Sequence, residues 1–216
     1  MSIRAAIFDL DGTLANTLND IAGAMNRSLR LHGLPEYPVA DYRYMVGNGI
    51  KTLAVRAVGE RSDLREAVQA EYQRYYSAHA LDTAAPYEGI PELLAALVKA
   101  NIAVCVLSNK PHADTCAVIR HFFPDVPFAV VRGQVPEVPV KPDPMGALLI
   151  ARELGLAPEN CVYLGDTSVD MYTAVAAGMF PVGVTWGFRT PEELTASGAA
   201  RLIDKPMELM SFVTLL

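Results

Sequence analysis

The feature that most constrains the fold of this chain is a short apolar segment that ends in two closely spaced carboxylates. Residues 3–8 are apolar apart from Arg4, and the sequence D-L-D-G-T follows at once, with its carboxylates at Asp9 and Asp11. Such a run is typical of a buried strand whose carboxyl end opens into a tight turn. Ligands of open α/β sheets bind in the crevice at that end of the strands. Two neighbouring carboxylates repel unless they share a proton or bind a cation, so the motif predicts a site for a divalent metal with oxygen ligands.

Beyond residue 90 the chain alternates segments with helical spacing and short apolar runs. The predicted strands span residues 102–107, 128–131, 161–164 and 180–184, the last of which is predicted to be the final strand. Strands that alternate with helices predict an α/β fold, a Rossmann-like doubly wound parallel sheet with helices on both faces. The sequence T-P-E-E from Thr190 has the pattern of a capping box and predicts a terminal helix.

The segment between the first and second strands differs from the rest, because it has helical spacing throughout and no clear strand. Its predicted helices span 14–34, 39–46, 50–58 and 62–80. A crossover between neighbouring parallel strands needs only one helix. We therefore predict a helical cap domain at residues 17–82, inserted into a core formed by residues 1–16 and 83–216. The tyrosines of the last cap helix, Tyr72, Tyr75 and Tyr76, are interpreted as packing residues.

Composition narrows the possible partners. The net charge of −6 and a pI near 5.2, with no basic block, argue against nucleic-acid binding. No apolar run approaches the roughly 20 residues that span a bilayer, and no signal-peptide pattern precedes the first motif, so we expect a cytoplasmic protein without a membrane partner. The sequence leaves monomer and homodimer both open. The three cysteines have no C-x-x-C spacing, and Cys105 and Cys161 are predicted to be buried.

Polar residues of the types that a phosphoryl-transfer site needs occur at four places along the core. They are Asp9 and Asp11 after the first strand, Ser108 and Asn109 after the second, Lys141 before a proline, and Asp166 and Asp170 in G-D-T-S-V-D. Each alone has a structural explanation, such as a solvated lysine, a strand-end cap or a charge at a helix N-terminus. Parallel strands bring their carboxyl ends together, so all four groups are predicted to share one crevice.

This set of motifs resembles that of the haloacid dehalogenase superfamily of aspartate-nucleophile phosphatases. The match comprises D-L-D-G-T, Ser108, the lysine of K-P and G-D-T-S-V-D, in that order. The resemblance implies that Asp9 attacks phosphorus to form an aspartyl-phosphate. It implies that Asp11 protonates the leaving group and then activates water. Lys141 and Ser108 would bind the phosphate, and Thr13 and Asn109 are further candidates for substrate contacts.

The same resemblance implies Mg²⁺ as the cofactor. Asp9, the backbone carbonyl of Asp11 and the carboxylate of Asp166 would ligate it. Asp170 lies four residues after Asp166, on the same face of the following helix, and would be an auxiliary ligand. A dehalogenase needs neither the metal nor the acid, so the presence of Asp11 and Asp166 argues against that activity.

The predicted cap resembles the caps of bacterial phosphoglycolate phosphatases at L-P-E-Y-P, V-G-N-G and V-R-A. This likeness implies hydrolysis of a small phosphate monoester, with 2-phosphoglycolate favoured. Backbone N–H groups of Gly47, Asn48 and Gly49 could bind the substrate carboxylate, and Lys51 and Arg56 could supply positive charge. Arg56 could equally be a helix-face residue that pairs within the cap.

Two alternatives on the same scaffold stay open. One is a sugar-phosphate mutase, which would protect its aspartyl-phosphate from water, and the other is a phosphonate hydrolase with Lys51 as a Schiff base. The chain also departs from the pattern D-x-D-G-T-L-x-D-S, because Asn16 and Thr17 occupy the last two positions. This change removes a charge at the cap linker but keeps hydrogen-bonding capacity.

Overall fold

The computed structural model describes residues 2–213, and its largest element is a six-stranded parallel sheet. The strands of the chain are β1 (Ala5–Phe8), β2 (Ala15–Asn16), β3 (Ala85–Pro86), β4 (Ala103–Pro111), β5 (Val130–Gln134), β6 (Cys161–Gly165), β7 (Phe180–Val184) and β8 (Arg201–Ile203). The order in the large sheet is β5-β4-β1-β6-β7-β8, and every neighbouring pair is parallel. The predicted α/β fold with a doubly wound sheet is confirmed.

The described helices either cover the two faces of this sheet or form the insertion between β2 and β3. They are α1 (Leu18–Leu31), α2 (Tyr42–Met45), α3 (Gly49–Val58), α4 (Arg65–His79), α5 (Ile90–Lys99), α6 (His112–Phe122), α7 (Met145–Glu153), α8 (Ser168–Ala177), α9 (Pro191–Ala196) and α10 (Met210–Val213). Short 3₁₀ turns occupy Val39–Asp41, Ser62–Leu64, Pro158–Asn160 and Pro206–Leu209. Among the described residues, no helix is both long and apolar enough to traverse a bilayer.

The apolar run of β1 is explained by its central place between β4 and β6. Ala6 and Phe8 pack with α5 and α6 on one face, whereas Ala5 and Ile7 pack with α7 and α8 on the other. A strand that is buried on both faces has no solvent side for polar residues, so its sequence does not alternate. Cys105 and Cys161 lie in the neighbouring strands and are buried, as predicted.

Helices α1 to α4 form the inserted cap around an apolar cluster of their own. Two short strands, β2 and β3, pair antiparallel where the chain leaves the core and returns to it. Because Ala15 and Asn16 belong to this pair, α1 begins at Leu18 and not at residue 14 as the spacing had suggested. The inserted helical cap is therefore confirmed, while its exact bounds at 17–82 stay a prediction.

Three sequence-based predictions about the C-terminal part need correction. Strand β7 is not the last, because β8 adds a parallel edge strand beside it. Strand β5 begins and ends later than the predicted 128–131. Helix α9 is not terminal, since α10 follows, and only half of its predicted capping box forms: Thr190 accepts the N–H of Glu193.

Candidate active site

Asp9 is the first residue after β1, and the parallel ladder fixes its position. Its backbone N–H donates to the carbonyl of Leu164 on β6 at 2.9 Å. Only 6% of Asp9 is exposed, in the cleft between core and cap. The chain then turns at Gly12 with φ +88°, where a Cβ would lie 2.2 Å from Oδ2 of Asp166. A side chain at this turn would therefore collide with the site.

Three buried carboxylates converge behind the cleft. One carboxylate oxygen from each of Asp9, Asp166 and Asp170 lies within 4.8 Å of the other two. Lys141 contacts this group, with Nζ 2.8 Å from Oδ1 of Asp9 and 2.7 Å from Oδ1 of Asp170. Three carboxylates against one ammonium leave an excess of negative charge in a desolvated place. Oxygen donors with excess negative charge fit a hard divalent cation.

Protonation equilibria reflect the same imbalance. Burial, with further contributions from Asp170 and Asp11, raises the pKa of Asp9 from 3.8 to about 7, despite the opposing effect of Lys141. Burial and the carboxylates of Asp170 and Asp9 raise the pKa of Asp166 well above its usual value. Burial lowers the pKa of Lys141, but the fields of Asp170 and Asp9 outweigh it, so the pKa lies well above 10.5. A cation bound here would favour ionised carboxylates, which a nucleophilic Asp9 requires.

Backbone and hydroxyl donors hold the two distal aspartates. Asp166 accepts the N–H of Phe188 at 2.8 Å on Oδ2 and the hydroxyl of Thr13 at 3.2 Å on Oδ1. Asp170 accepts both the N–H and the hydroxyl of Thr167 on Oδ2, at 3.1 and 2.7 Å. Thr13, a candidate for substrate contact, is thus directed to Asp166.

Glycines without side chains make room for these aspartates. A Cβ on Gly165 would lie 2.2 Å from Cβ of Asp170, and one on Gly187 would lie 2.2 Å from Cβ of Asp166. Real Cβ atoms essentially never approach so closely. The carboxylates can occupy their positions only because both neighbours are glycine.

Asp11 lies beside Asp9 at the cleft, and two donors meet at its Oδ1. The hydroxyl of Thr17 donates to it at 2.6 Å, and the ammonium of Lys110 forms a short ion pair with it. Thr17 is one of the two residues that depart from the usual motif, and its hydroxyl orients the proposed acid. The other, Asn16, accepts the N–H of Leu18 through its side chain at 3.3 Å.

Ser108 and Asn109 are buried residues in the second half of β4, and both line the cleft. Asn109 accepts the N–H of Lys141 at 2.8 Å and donates to the carbonyls of Lys141 at 3.0 Å and Gly47 at 2.9 Å. Its side chain therefore fixes the loop that carries Lys141 and joins it to the cap. Ser108 Oγ accepts the N–H of Lys110 at 3.2 Å.

The cap side of the cleft is largely apolar. Its apolar residues are Ile21, Val46, Ile50 and Leu53, and Gly47 and Gly49 lie among them. Asn48, Lys51 and Arg56 are not among the lining residues. Arg56 donates to the carbonyl of Met45 at 2.7 Å and to Oδ1 of Asn48 at 3.0 Å, while Lys51 is exposed. The guanidinium of Arg56, a residue of α3, thus contacts the end of α2 within the cap.

Comparison with known proteins agrees with this arrangement. The family model of haloacid dehalogenase-like hydrolases matches residues 6–184. The chain belongs to this family. The N-acetylmuramic acid 6-phosphate phosphatase of Pseudomonas aeruginosa is 31% identical, over 97% of this chain and 94% of that protein. The phosphoglycolate phosphatase of Xanthomonas campestris pv. campestris is 32% identical, over 95% and 94%. A crystal structure from Lactobacillus delbrueckii subsp. bulgaricus superposes with a TM-score of 0.94 at 26% identity, covering 99% of both chains.

Sequence reasoning missed two polar residues of this hydrolase that line the cleft. Lys110 lies two residues after Ser108 on β4, which extends to Pro111, and it also lines the cleft. Predicting the full length of this strand would have placed Lys110 beside Ser108 and Asn109. Asp114 accepts hydrogen bonds from Gln73 at 2.7 Å and Ser77 at 2.9 Å, both on α4 of the cap. No local pattern indicates such a contact between distant segments.

Proposed function

We propose that this hydrolase is a Mg²⁺-dependent phosphatase that cleaves a small phosphate monoester, 2-phosphoglycolate, through an aspartyl-phosphate intermediate. The observation that carries the proposal is the Asp9 carboxylate at the cleft, held against Lys141 with Asp166 and Asp170 behind it. Asp11 lies alongside and faces the same cleft. A nucleophile and a separate acid–base group in one cleft are the groups that phosphoryl transfer to a carboxylate needs.

The reaction begins when a carboxylate oxygen of Asp9 attacks phosphorus. The bond between phosphorus and the bridging oxygen breaks, and Asp11 gives its proton to that oxygen, so the alcohol leaves neutral. Asp11 then takes a proton from water, which attacks the phosphorus of the aspartyl-phosphate and releases inorganic phosphate and Asp9. Lys141 holds Asp9 and offsets the charge of the phosphate, and Ser108 is placed to donate its hydroxyl to a phosphate oxygen.

The buried carboxylates and the backbone carbonyl of Asp11 would hold the metal. Asp9 and Asp166 would be ligands, with Asp170 as an auxiliary one, since it is already bonded to Lys141 and Thr167. A divalent cation bound there would reduce the repulsion between Asp9 and the phosphate and stabilise the charge of the transferring group.

The choice of substrate is supported by the relatives and by the small cleft residues at Gly47 and Gly49. Several relatives at 26–32% identity are phosphoglycolate phosphatases, and they align over most of both chains. The N-acetylmuramic acid 6-phosphate phosphatase, at 31% identity, provides a second candidate, and the apolar cap wall is compatible with a sugar ring. Lys51 is exposed and does not line the cleft, so the geometry gives the phosphonate hydrolase alternative no support.

A panel of phosphate esters assayed with Mg²⁺ tests the proposal. We expect kcat/KM to be highest for 2-phosphoglycolate, activity to disappear in EDTA and return with Mg²⁺, and Ca²⁺ to inhibit because its larger, more flexible coordination misplaces the nucleophile. A higher kcat/KM for N-acetylmuramic acid 6-phosphate would replace the substrate assignment. A long-lived phosphoenzyme with hexose phosphates would favour a mutase, and full activity in EDTA would refute the metal site.

A further inference from the structure

The cleft has only one cationic side chain among its described lining residues. That residue is Lys110, and the other charged groups along the cleft are the carboxylates of Asp9, Asp11 and Asp114. Asp114 is already engaged by two donors of the cap. An anionic substrate group other than the phosphate therefore finds its only opposite charge along the cleft at Lys110.

Burial makes this lysine unusual. Its side chain is 4% exposed, with Nζ paired to Asp11 and 5.1 Å from the centroid of the Tyr76 ring. An ammonium has three N–H donors, and Asp11 is the only hydrogen-bond acceptor that the described residues offer to Nζ. The N–H groups of Lys110 that Asp11 does not use can therefore donate to an anion that enters the cleft, with little rearrangement of the side chain.

The Tyr76 hydroxyl provides a second, independent sign of a ligand. Tyr76 is 1% exposed and lines the cleft, yet its hydroxyl has no hydrogen-bond partner among the described residues. Buried polar groups are nearly always satisfied, so an exception beside a substrate cleft calls for an explanation. A donor without a partner next to a buried ammonium is suited to a carboxylate.

We propose that Lys110 Nζ and the Tyr76 hydroxyl form a subsite for a carboxylate carried one carbon away from the bridging oxygen of the ester. This proposal rests on the proposed function, because it takes Asp11 to meet the bridging oxygen. Lys110 contacts Asp11 directly, so an anion that reaches Lys110 must be attached close to that oxygen. The cap residues Ile50 and Leu53, which also line the cleft, are apolar and offer no counter-charge.

This geometry selects a substrate class. In 2-phosphoglycolate a single methylene separates the bridging oxygen from the carboxylate, which matches the contact between Asp11 and Lys110. In N-acetylmuramic acid 6-phosphate the carboxyl group belongs to a lactyl substituent on a distant part of the sugar. The subsite thus favours short 2-phosphoryloxy carboxylates, and it assigns to Lys110 the role that the sequence had suggested for Lys51 and Arg56.

The test compares 2-phosphoglycolate with ethyl phosphate, in which a methyl group replaces the carboxylate. Lys110→Met keeps length and removes charge, so kcat/KM for 2-phosphoglycolate should fall about thirty- to a thousandfold more than kcat/KM for ethyl phosphate. Any loss that the two esters share reports the lost contact with Asp11. Lys99→Met, an exposed lysine at the end of α5, is the matched control and should leave both values unchanged. Equal losses on the two esters would show that Lys110 only positions Asp11, and would overturn the inference. A carboxylate-selective loss in Lys51→Met or Arg56→Ala, with none in Lys110→Met, would overturn it too.

Tyr76→Phe keeps the inference testable if Lys110→Met does not fold. Because the hydroxyl has no partner, its removal should not lower thermal stability, yet kcat/KM for 2-phosphoglycolate should fall about tenfold or more while ethyl phosphate is unaffected. An unchanged ratio between the esters would contradict the subsite. If wild-type enzyme hydrolyses neither ester, the proposed function fails and the inference with it. If wild type prefers 2-phosphoglycolate and both variants keep that preference, the inference alone fails.

Discussion

Lys141→Met should destabilise the metal-free protein strongly, because this lysine is the counter-ion of the buried carboxylates. Its side chain is 3% exposed and lies 2.8 Å from Asp9 and 2.7 Å from Asp170. Removing one partner of a buried ion pair costs about 3–5 kcal/mol, since the remaining charge is left unpaired. In a protein of this size, about 1 kcal/mol corresponds to roughly 2–4 °C in Tm, so we expect a decrease of about 6–20 °C.

The pH dependence of this loss follows from the carboxylates. The pKa of Lys141 lies well above 10.5, so the ammonium persists at all pH values below that. The pKa of Asp9 is raised from 3.8 to about 7, so in metal-free protein between about pH 4 and pH 7 this carboxyl keeps a proton that the unfolded chain has lost. With Asp9 protonated, Lys141 has less negative charge to neutralise. The destabilisation by Lys141→Met should therefore be larger at pH 8 than at pH 5.5.

Thermal unfolding in EDTA and in Mg²⁺, at both pH values, measures these effects. Mg²⁺ should recover part of the lost stability in the variant, because a bound cation replaces the missing positive charge, and the recovery should be greater at pH 8. Lys99→Met, on the exposed end of α5, is the control and should change the free energy of unfolding by less than about 0.5 kcal/mol. A loss of under about 1 kcal/mol in Lys141→Met would refute the electrostatic reasoning.

Two further predictions concern the support of the site. Gly165→Ala would bring a Cβ within 2.2 Å of Asp170, so it should lower the free energy of unfolding by about 1–3 kcal/mol and weaken Mg²⁺ binding. A Mg²⁺ titration followed by thermal shift measures both effects, and an unchanged Mg²⁺ affinity would contradict the prediction. Asp114→Ala removes the carboxylate that accepts hydrogen bonds from Gln73 and Ser77, and so weakens the contact between cap and core. We expect kcat/KM to fall about tenfold or more for every ester alike, and a loss confined to one ester would contradict this prediction.

The sequence allowed the grouping of three motifs to be predicted, because Asp9, Ser108 and Asp166 lie near the carboxyl ends of strands of the same parallel sheet. Once β1, β4 and β6 are recognised as strands, parallel pairing brings Asp9, Ser108 and Asp166 to one edge. The reasoning fails where a strand has little signal of its own. Strand β8 has three residues, of which only Ile203 is buried, so its composition resembles a loop.

Contacts between cap and core were beyond sequence reasoning for a different reason. Arg56 has the charge to bind a substrate carboxylate, but the carbonyls at the end of α2 also need hydrogen-bond donors. The Arg56 guanidinium donates to these carbonyls in the structure. Asp114 and Gln73 lie 41 residues apart in different domains. Tyr76 was interpreted as packing, and its ring is indeed buried; only the missing partner of its hydroxyl suggests a further role.

The most direct test of the account is to trap the phosphoenzyme. Protein mixed with 2-phosphoglycolate and Mg²⁺, quenched in acid within the first turnover and digested, should contain one added phosphoryl group on the peptide that carries Asp9. Asp9→Asn should show no such adduct and less than about a thousandth of wild-type turnover, since loss of a nucleophile costs several orders of magnitude. A phosphoryl group on another residue, or an Asp9→Asn variant with substantial turnover, would contradict the account.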